Sequence, residues 1–173
     1  MKKFIFIIIT FVLCTINMLS QENIFDIARK GDVVAMKEIL QEDSKLINSK
    51  NKSGFTALIL ASYRNNIDLV SFLLKQGAQV NVLSETGTAL MAATFKENVE
   101  VVKILLENNA NPNNADPKGT TALHYACRLQ NIEIIKLINA KSPKLDLKDD
   151  KGKTALDYAI ELENIEIIKL FKP

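Results

Sequence analysis

Few side chains in this sequence belong to the types that do covalent or metal chemistry, and none has the company such chemistry needs. His124 is the single histidine of the 173 residues, and Cys14 and Cys127 are the two cysteines. A zinc site draws on three or four nitrogen and sulfur ligands, and acid–base catalysis needs a base within reach of a positioned proton. No second histidine or cysteine cluster completes either arrangement around His124. Cys127 follows Ala126 in an apolar stretch, which reads as small buried filler, with a reactive thiol as the alternative. No Gly-x-Gly-x-x-Gly loop, phosphate loop or nucleophile elbow occurs. Glu97, Glu100, Glu161 and Glu163 fall on helix faces and loops, as solvated carboxylates do, without converging. The expectation is a protein with no catalytic residue, no metal and no cofactor.

The elements that would position any site are spelled out by repetition. Thr121-Ala122-Leu123-His124-Tyr125-Ala126 has echoes beginning at Thr56, Thr88 and Thr154, and the threonines are 32, 33 and 33 residues apart. Each is followed five residues on by an alanine: Ala61, Ala93, Ala126 and Ala159. A fixed period of this length means stacked supersecondary units, each touching mainly its neighbours. In the best copy, Thr56 predicts an N-cap, 57–64 a first helix, Asn65-Asn66 a tight turn and 67–76 a second helix ended by Gly77. Leu58, Ala61, Val70, Leu73 and Leu74 recur at helical spacing and predict the buried face. So do Val101, Val102, Leu105 and Leu106 in the next copy, and Ile134, Ile135, Leu137 and Ile138 in the one after. The asparagines ten residues after each threonine (Asn66, Asn98, Asn131, Asn164) predict turn formers, with binding as the lesser alternative. One hairpin, Ser84-Glu85-Thr86-Gly87, is a residue short, which predicts an uneven rim. Polar first and last units predict caps, the last one charged through Glu161, Glu163, Glu166, Lys169 and Lys172.

The N-terminus has a different character. Lys2 and Lys3 precede an apolar run from Phe4 to Leu13 and a more polar stretch to Ser20, the layout of a secretory signal peptide. Cleavage after Ser20 is the first expectation; an uncleaved anchor at residues 4–20, or lipidation at Cys14, are the alternatives. Without that segment, 20 basic side chains face 20 acidic ones, so the charge gives no reason to expect nucleic-acid binding. Cys127 alone remains, and no internal disulfide can form. The domains are therefore a signal peptide at 1–20 and a repeat domain at 21–173, with units near 22–50, 51–82, 83–115, 116–148 and 149–173.

A period of thirty-three with a Thr-x-Leu-His-x-Ala core resembles the ankyrin repeat. The proline that usually follows the threonine in that family is alanine in all four copies. The resemblance implies an all-α helix-turn-helix solenoid with short β-hairpin-like loops, about five repeats including the caps. It implies that His124 bridges adjacent turns, and that hairpin tips and first helices line a concave surface where a protein partner docks. The short leader and the Lys-, Asn- and Ile-rich composition suggest a bacterial envelope or secreted location. Small exported bacterial proteins of this kind suggest two narrower roles, an immunity-type inhibitor of a toxic enzyme or an oxidative-stress accessory factor. A membrane-tethered scaffold is the further alternative if residues 4–20 are retained.

Counting seven and eight residues from each threonine gives Tyr63-Arg64, Phe95-Lys96, Arg128-Leu129 and Glu161-Leu162, and the same count in the first unit gives Arg29-Lys30. The repeated core does not require these side chains, yet three pairs join a large ring or aliphatic group to a cation. The hairpins add Lys50, Lys52, Phe55, Lys118 and Lys153. Tyr, Phe and Arg are the residue types of interface hot spots. Lys50, Lys52, Phe55, Tyr63, Arg64, Phe95, Lys96, Lys118, Arg128 and Leu129 are thus the candidate partner-binding residues. The cations predict an acidic patch on the partner of a monomeric protein. The alternative is that Phe55, Tyr63 and Phe95 fold down onto neighbouring helices.

Overall fold

The computed structural model describes residues 24–171; the predicted signal peptide at 1–20, with Cys14, and Lys172 lie outside them. The chain forms paired short helices. A helix α1 over residues 24–30 is followed by α2 (Val33–Glu42) and a 3-10 turn at Ser44–Asn48. Four pairs come next: α3 (Ala57–Tyr63) with α4 (Ile67–Lys75), α5 (Ala89–Phe95) with α6 (Val99–Glu107), α7 (Ala122–Arg128) with α8 (Ile132–Asn139), and α9 (Ala155–Glu161) with α10 (Ile165–Lys169). Among the described residues no helix is long and apolar enough to cross a membrane.

Local chemistry fixes where each pair begins and turns. Thr56, Thr88, Thr121 and Thr154 all sit in extended backbone with the hydroxyl accepting from the N–H three residues on, a cap whose removal costs about 1 kcal/mol. The turn out of each first helix places Asn65, Glu97, Gln130 or Glu163 at φ 59°, 57°, 57° or 52°. The residue before each repeat asparagine therefore takes the left-handed turn, and two glutamates expected on solvated faces have a backbone task as well. The asparagines begin the second helices: Asn131 and Asn164 accept from Ile134 N–H and Ile167 N–H. Their amides also reach back one repeat. Asn66 donates to the Ala28 carbonyl at 2.9 Å and Asn98 to the Ser62 carbonyl at 2.8 Å, while Asn131 and Asn164 donate to Glu97 and Gln130.

Two helix layers result, α3, α5, α7 and α9 packing in series on one side and α4, α6 and α8 on the other. Leu58, Leu73, Leu90, Leu105, Leu123 and Ile138 fill the space between them and are fully buried. Ala61, Ala93, Ala126 and Ala159 are also fully buried; a larger side chain there would overpack the joint between layers. Leu74 and Leu137, expected in the core, are only half-buried at its edge. His124 joins repeats: the Thr121 N–H donates to Nδ1 at 3.2 Å, which leaves the proton on Nε2 to donate to the Lys153 carbonyl at 3.1 Å.

The hairpins are fingers rather than a sheet, with two isolated antiparallel bridges among the described residues, Ser84 to Gly87 and Ala115 to Thr121. Asn51, Asp116 and Asp149 each head a finger, one side-chain oxygen accepting from the N–H groups two and four residues on. In the shorter finger Ser84 heads the turn, and its hydroxyl donates to the Gly87 carbonyl at 2.7 Å. The last unit is not only charged: Ile165, which opens the five-residue α10, is 67% exposed.

Candidate functional site

The first helices and fingers present one face, and the residues seven positions after each threonine run along it. Tyr63 and Phe95 are 40% and 50% exposed, so neither ring folds into the core. Phe95 meets Tyr125 edge to face, centroids 5.8 Å apart at 81°, which is a favoured geometry for aromatic pairs. Cations lie over the rings: Lys96 Nζ is 5.3 Å from the Tyr63 centroid, and the Arg128 guanidinium is 5.6 Å from Tyr158 and 6.0 Å from Tyr125. Lys153 stands over Tyr158 and pairs with Glu161. Rings and positive charges thus alternate across the second to fifth repeats. Each such contact at an exposed site is worth about 0.5–1 kcal/mol, enough to orient a side chain but little for the fold.

Two of the rings are tied at their far ends. The Tyr125 hydroxyl donates to Asp116 at 3.1 Å, and the Tyr158 hydroxyl donates to Asp149. Burial, then the Asp116 charge, raises the Tyr125 hydroxyl above its ordinary value. The hydrogen bond to Asp149, then burial, pushes Tyr158 up to about 12. Both therefore remain donors at neutral pH, and each holds its finger against its own first helix.

A groove of about 640 Å³ opens on this face between the first and fourth repeats. It exists because the third repeat is small where its neighbours are large. Four residues after the threonine stand Leu60, Ala92, Tyr125 and Tyr158; just before it stand Phe55, Gly87, Thr120 and Lys153. Ala92, with the shortened finger, leaves a gap walled by Phe55, Leu60, Tyr63, Phe95 and Tyr125, while the space over Gly87 is taken by Met91. Arg29 and Arg64 add positive charge to the lining, which contains no carboxylate. Arg29 pairs with Asp26 at 2.8 Å, whereas Arg64 makes no ion pair among the described residues.

Of the residues singled out from sequence, Phe55, Tyr63, Arg64 and Phe95 come together in this groove. Lys96 lies over Tyr63, Arg128 belongs to the adjoining Tyr125–Tyr158 stack, and Leu129 caps α7. Lys50, Lys52 and Lys118 are exposed on the fingers and do not line the groove; the Lys50 ammonium is 3.5 Å from the Leu83 carbonyl, and the Lys118 carbonyl accepts from Asp150 N–H at 2.7 Å. The count along the repeats passed over Leu60, Ala92 and Tyr125. Comparing side-chain volumes at that one position across copies would have found them. Cys127 is buried, and burial pushes its thiol up to about 12. No group of three or more His, Cys, Asp or Glu among the described residues is placed to hold a metal ion.

Comparison with known proteins agrees with the architecture. A family model described as ankyrin repeats (3 copies) matches residues 24–116 and 109–172. The human DNA-binding protein RFXANK is 36% identical over 63 residues, 36% of this chain and 24% of that protein. Palmitoyltransferase akr1 of Aspergillus oryzae (strain ATCC 42149 / RIB 40) is 40% identical over 60 residues, 35% of this chain and 8% of the enzyme. Human BCL-6 corepressor-like protein 1 is 38% identical over 61 residues, 35% of this chain and 3% of its own length. The chain thus spans a quarter or less of each of these curated relatives.

Proposed function

The chain belongs to the ankyrin repeat family and is a protein–protein interaction module, and on that premise we propose that it binds its partner through the face of first helices and fingers just described, the concave face of the stack on this reading, in the envelope or exterior of a bacterial cell. The observation that carries the docking surface is the pair of exposed rings, Tyr63 and Phe95, beside Arg64 and Lys96. Aromatic side chains are costly to leave in water in a contiguous patch, and Phe95 keeps half of its surface in solvent even with Tyr125 against it. Burying them against a partner recovers that cost, while the cations steer an acidic surface toward them. The exported location rests on the pattern of residues 1–20.

A photo-reactive amino acid placed at Arg128, and separately at the exposed Lys103 of the outer helix layer, tests the surface in the native host. Adducts from position 128 are expected, and replacing Tyr63, Arg64 and Phe95 with alanine should weaken binding of the recovered partner at least about tenfold. Adducts confined to position 103 would put the partner on the opposite layer. The mass of the protein isolated from its host tests the leader: loss of residues 1–20 supports export with cleavage, and the intact mass supports a membrane-tethered scaffold.

A further inference from the structure

We infer, as a narrowing of the concave-face reading and resting on it, that the groove at the second and third repeats receives one large apolar side chain, leucine or phenylalanine, from an acidic segment of the partner protein. The groove is local to one departure from the repeat pattern. Ala92 occupies the position that carries leucine in the repeat before and tyrosine in the next two, and the finger ahead of it is one residue short. Its volume of about 640 Å³ falls within the range of sites that enclose a ligand group. That space holds a large side chain with the backbone on either side of it.

The chemistry of the walls selects the occupant. Phe55, Leu60, Phe95 and Tyr125 offer apolar surface, and Met91 packs beneath Gly87, its sulfur 2.3 Å from where a β-carbon would stand. An apolar side chain gains most against these walls, and Asn51, Ser53 and Thr86, which share the lining, are left to meet the polar backbone on either side of it. With Arg29 paired to Asp26, the field around the opening comes from Arg64 in the lining, Lys96 above Tyr63 and the exposed Lys50 and Lys52 on the adjacent finger, which outnumber the exposed Glu85 next to Thr86. A lysine- or arginine-bearing segment is repelled there, and one with Asp or Glu flanking the apolar residue is attracted. Such chemistry also occurs at this chain's own C-terminal end, where Ile165 is exposed between Glu163 and Glu166, so a second copy is a competitor the experiment must separate.

The test uses the full chain and fluorescein-labelled decapeptides carrying Asp and Glu around one varied central residue. Central leucine or phenylalanine should bind at least about tenfold tighter than central serine, with affinity falling several-fold between about 0.05 and about 0.5 M salt. Ala92→Tyr fills the groove with the residue that this chain already accommodates at positions 125 and 158. It should abolish that preference while the melting temperature stays within a few degrees. Arg64→Glu, on an exposed residue, should weaken the acidic peptides and leave the fold intact. Equal binding of serine and leucine peptides, preference for basic flanks, or unchanged binding by Ala92→Tyr would overturn the inference. So would concentration-dependent self-association in sedimentation that Ala92→Tyr removes, since the occupant would then be a second copy. Failure of these arms alongside crosslinks from position 128 sinks the groove inference alone; crosslinks only from position 103 sink the concave-face reading with it.

Discussion

Replacing Gly119 and, separately, Gly152 with alanine isolates the free energy of packing one finger on the next. Both glycines sit at φ +73°, where a side chain of L configuration costs about 1–2 kcal/mol. Their surroundings differ. A β-carbon on Gly119 would lie 2.8 Å from the Lys148 carbonyl oxygen and 3.1 Å from the Asp149 α-carbon, while one on Gly152 would meet nothing within 4 Å. The atoms met at Gly119 are backbone of the following finger, which is held by the Asp150 N–H to Lys118 carbonyl bond at 2.7 Å, so they cannot swing aside as a flexible side chain would. Overpacking of this kind adds about 1–3 kcal/mol. Gly152→Ala should therefore cost about 1–2 kcal/mol and Gly119→Ala about 2–5 kcal/mol. Urea titration followed by circular dichroism measures both, provided the slope of each transition matches the parent. At this chain length each kcal/mol corresponds to about 2–4 °C in melting temperature, which gives a second readout. Equal midpoints for the two variants would refute the reasoning. The fingers would then move independently, and the cations they carry would not form a fixed rim.

Two further outcomes follow from buried groups. With its thiol pushed up to about 12 by burial, Cys127 in a Cys14→Ser background should ignore a disulfide reagent at about pH 8 and react only on unfolding; immediate labelling would show an open helix pair. In the last repeat, burial acts to raise the Asp149 carboxyl, but hydrogen bonds from the Tyr158 hydroxyl and the Lys153 and Lys151 N–H groups prevail and hold it below its ordinary value. The Asp157 carboxyl is likewise held low, chiefly by the Thr154 N–H and hydroxyl. Because both folded values lie below the ordinary 3.8, the stability they contribute is full above that pH and drains away as the pH falls through the folded values. Hydrogen exchange should show the fifth repeat opening first below about pH 3.8, with the gap in stability between the parent and Asp149→Asn narrowing as it does. A parent chain whose fifth repeat is as protected at pH 2 as at pH 7 would refute this.

The helix pairs were legible because their causes are local. A threonine hydroxyl reaches an N–H three residues on, and a leucine at helical spacing declares its buried face within one unit. What crosses from one unit to the next was harder to see. Asn66 and Asn98 announce a turn from sequence, but their amides reach carbonyls 38 and 36 residues back, and no local pattern encodes that. Phe55, Tyr63, Arg64 and Phe95 could be placed on a common face by counting, since a fixed period converts sequence position into surface position. The groove between them could not be found by counting residues that are present. It is a shortage of volume at Ala92, visible only when one repeat position is compared for size down the stack.

That contrast says where specificity can reside in such a stack. Positions that make one unit fit the next, the capping threonines and the buried alanines, are the same in every copy and hold no information about a partner. Information can lie only where copies differ without breaking the stack, and the third repeat differs in a shorter finger and in alanine where the other copies carry leucine or tyrosine. Alanine at position 92 forgoes the bond between helix and finger that the fourth and fifth repeats make, Tyr125 to Asp116 and Tyr158 to Asp149. A stack selected for stability alone would have filled that gap, since lost apolar contact is costly. On the proposed reading, the unfilled gap bordered by exposed rings and positive charge is space kept for a side chain from another molecule, and filling it through Ala92→Tyr should separate stability from recognition.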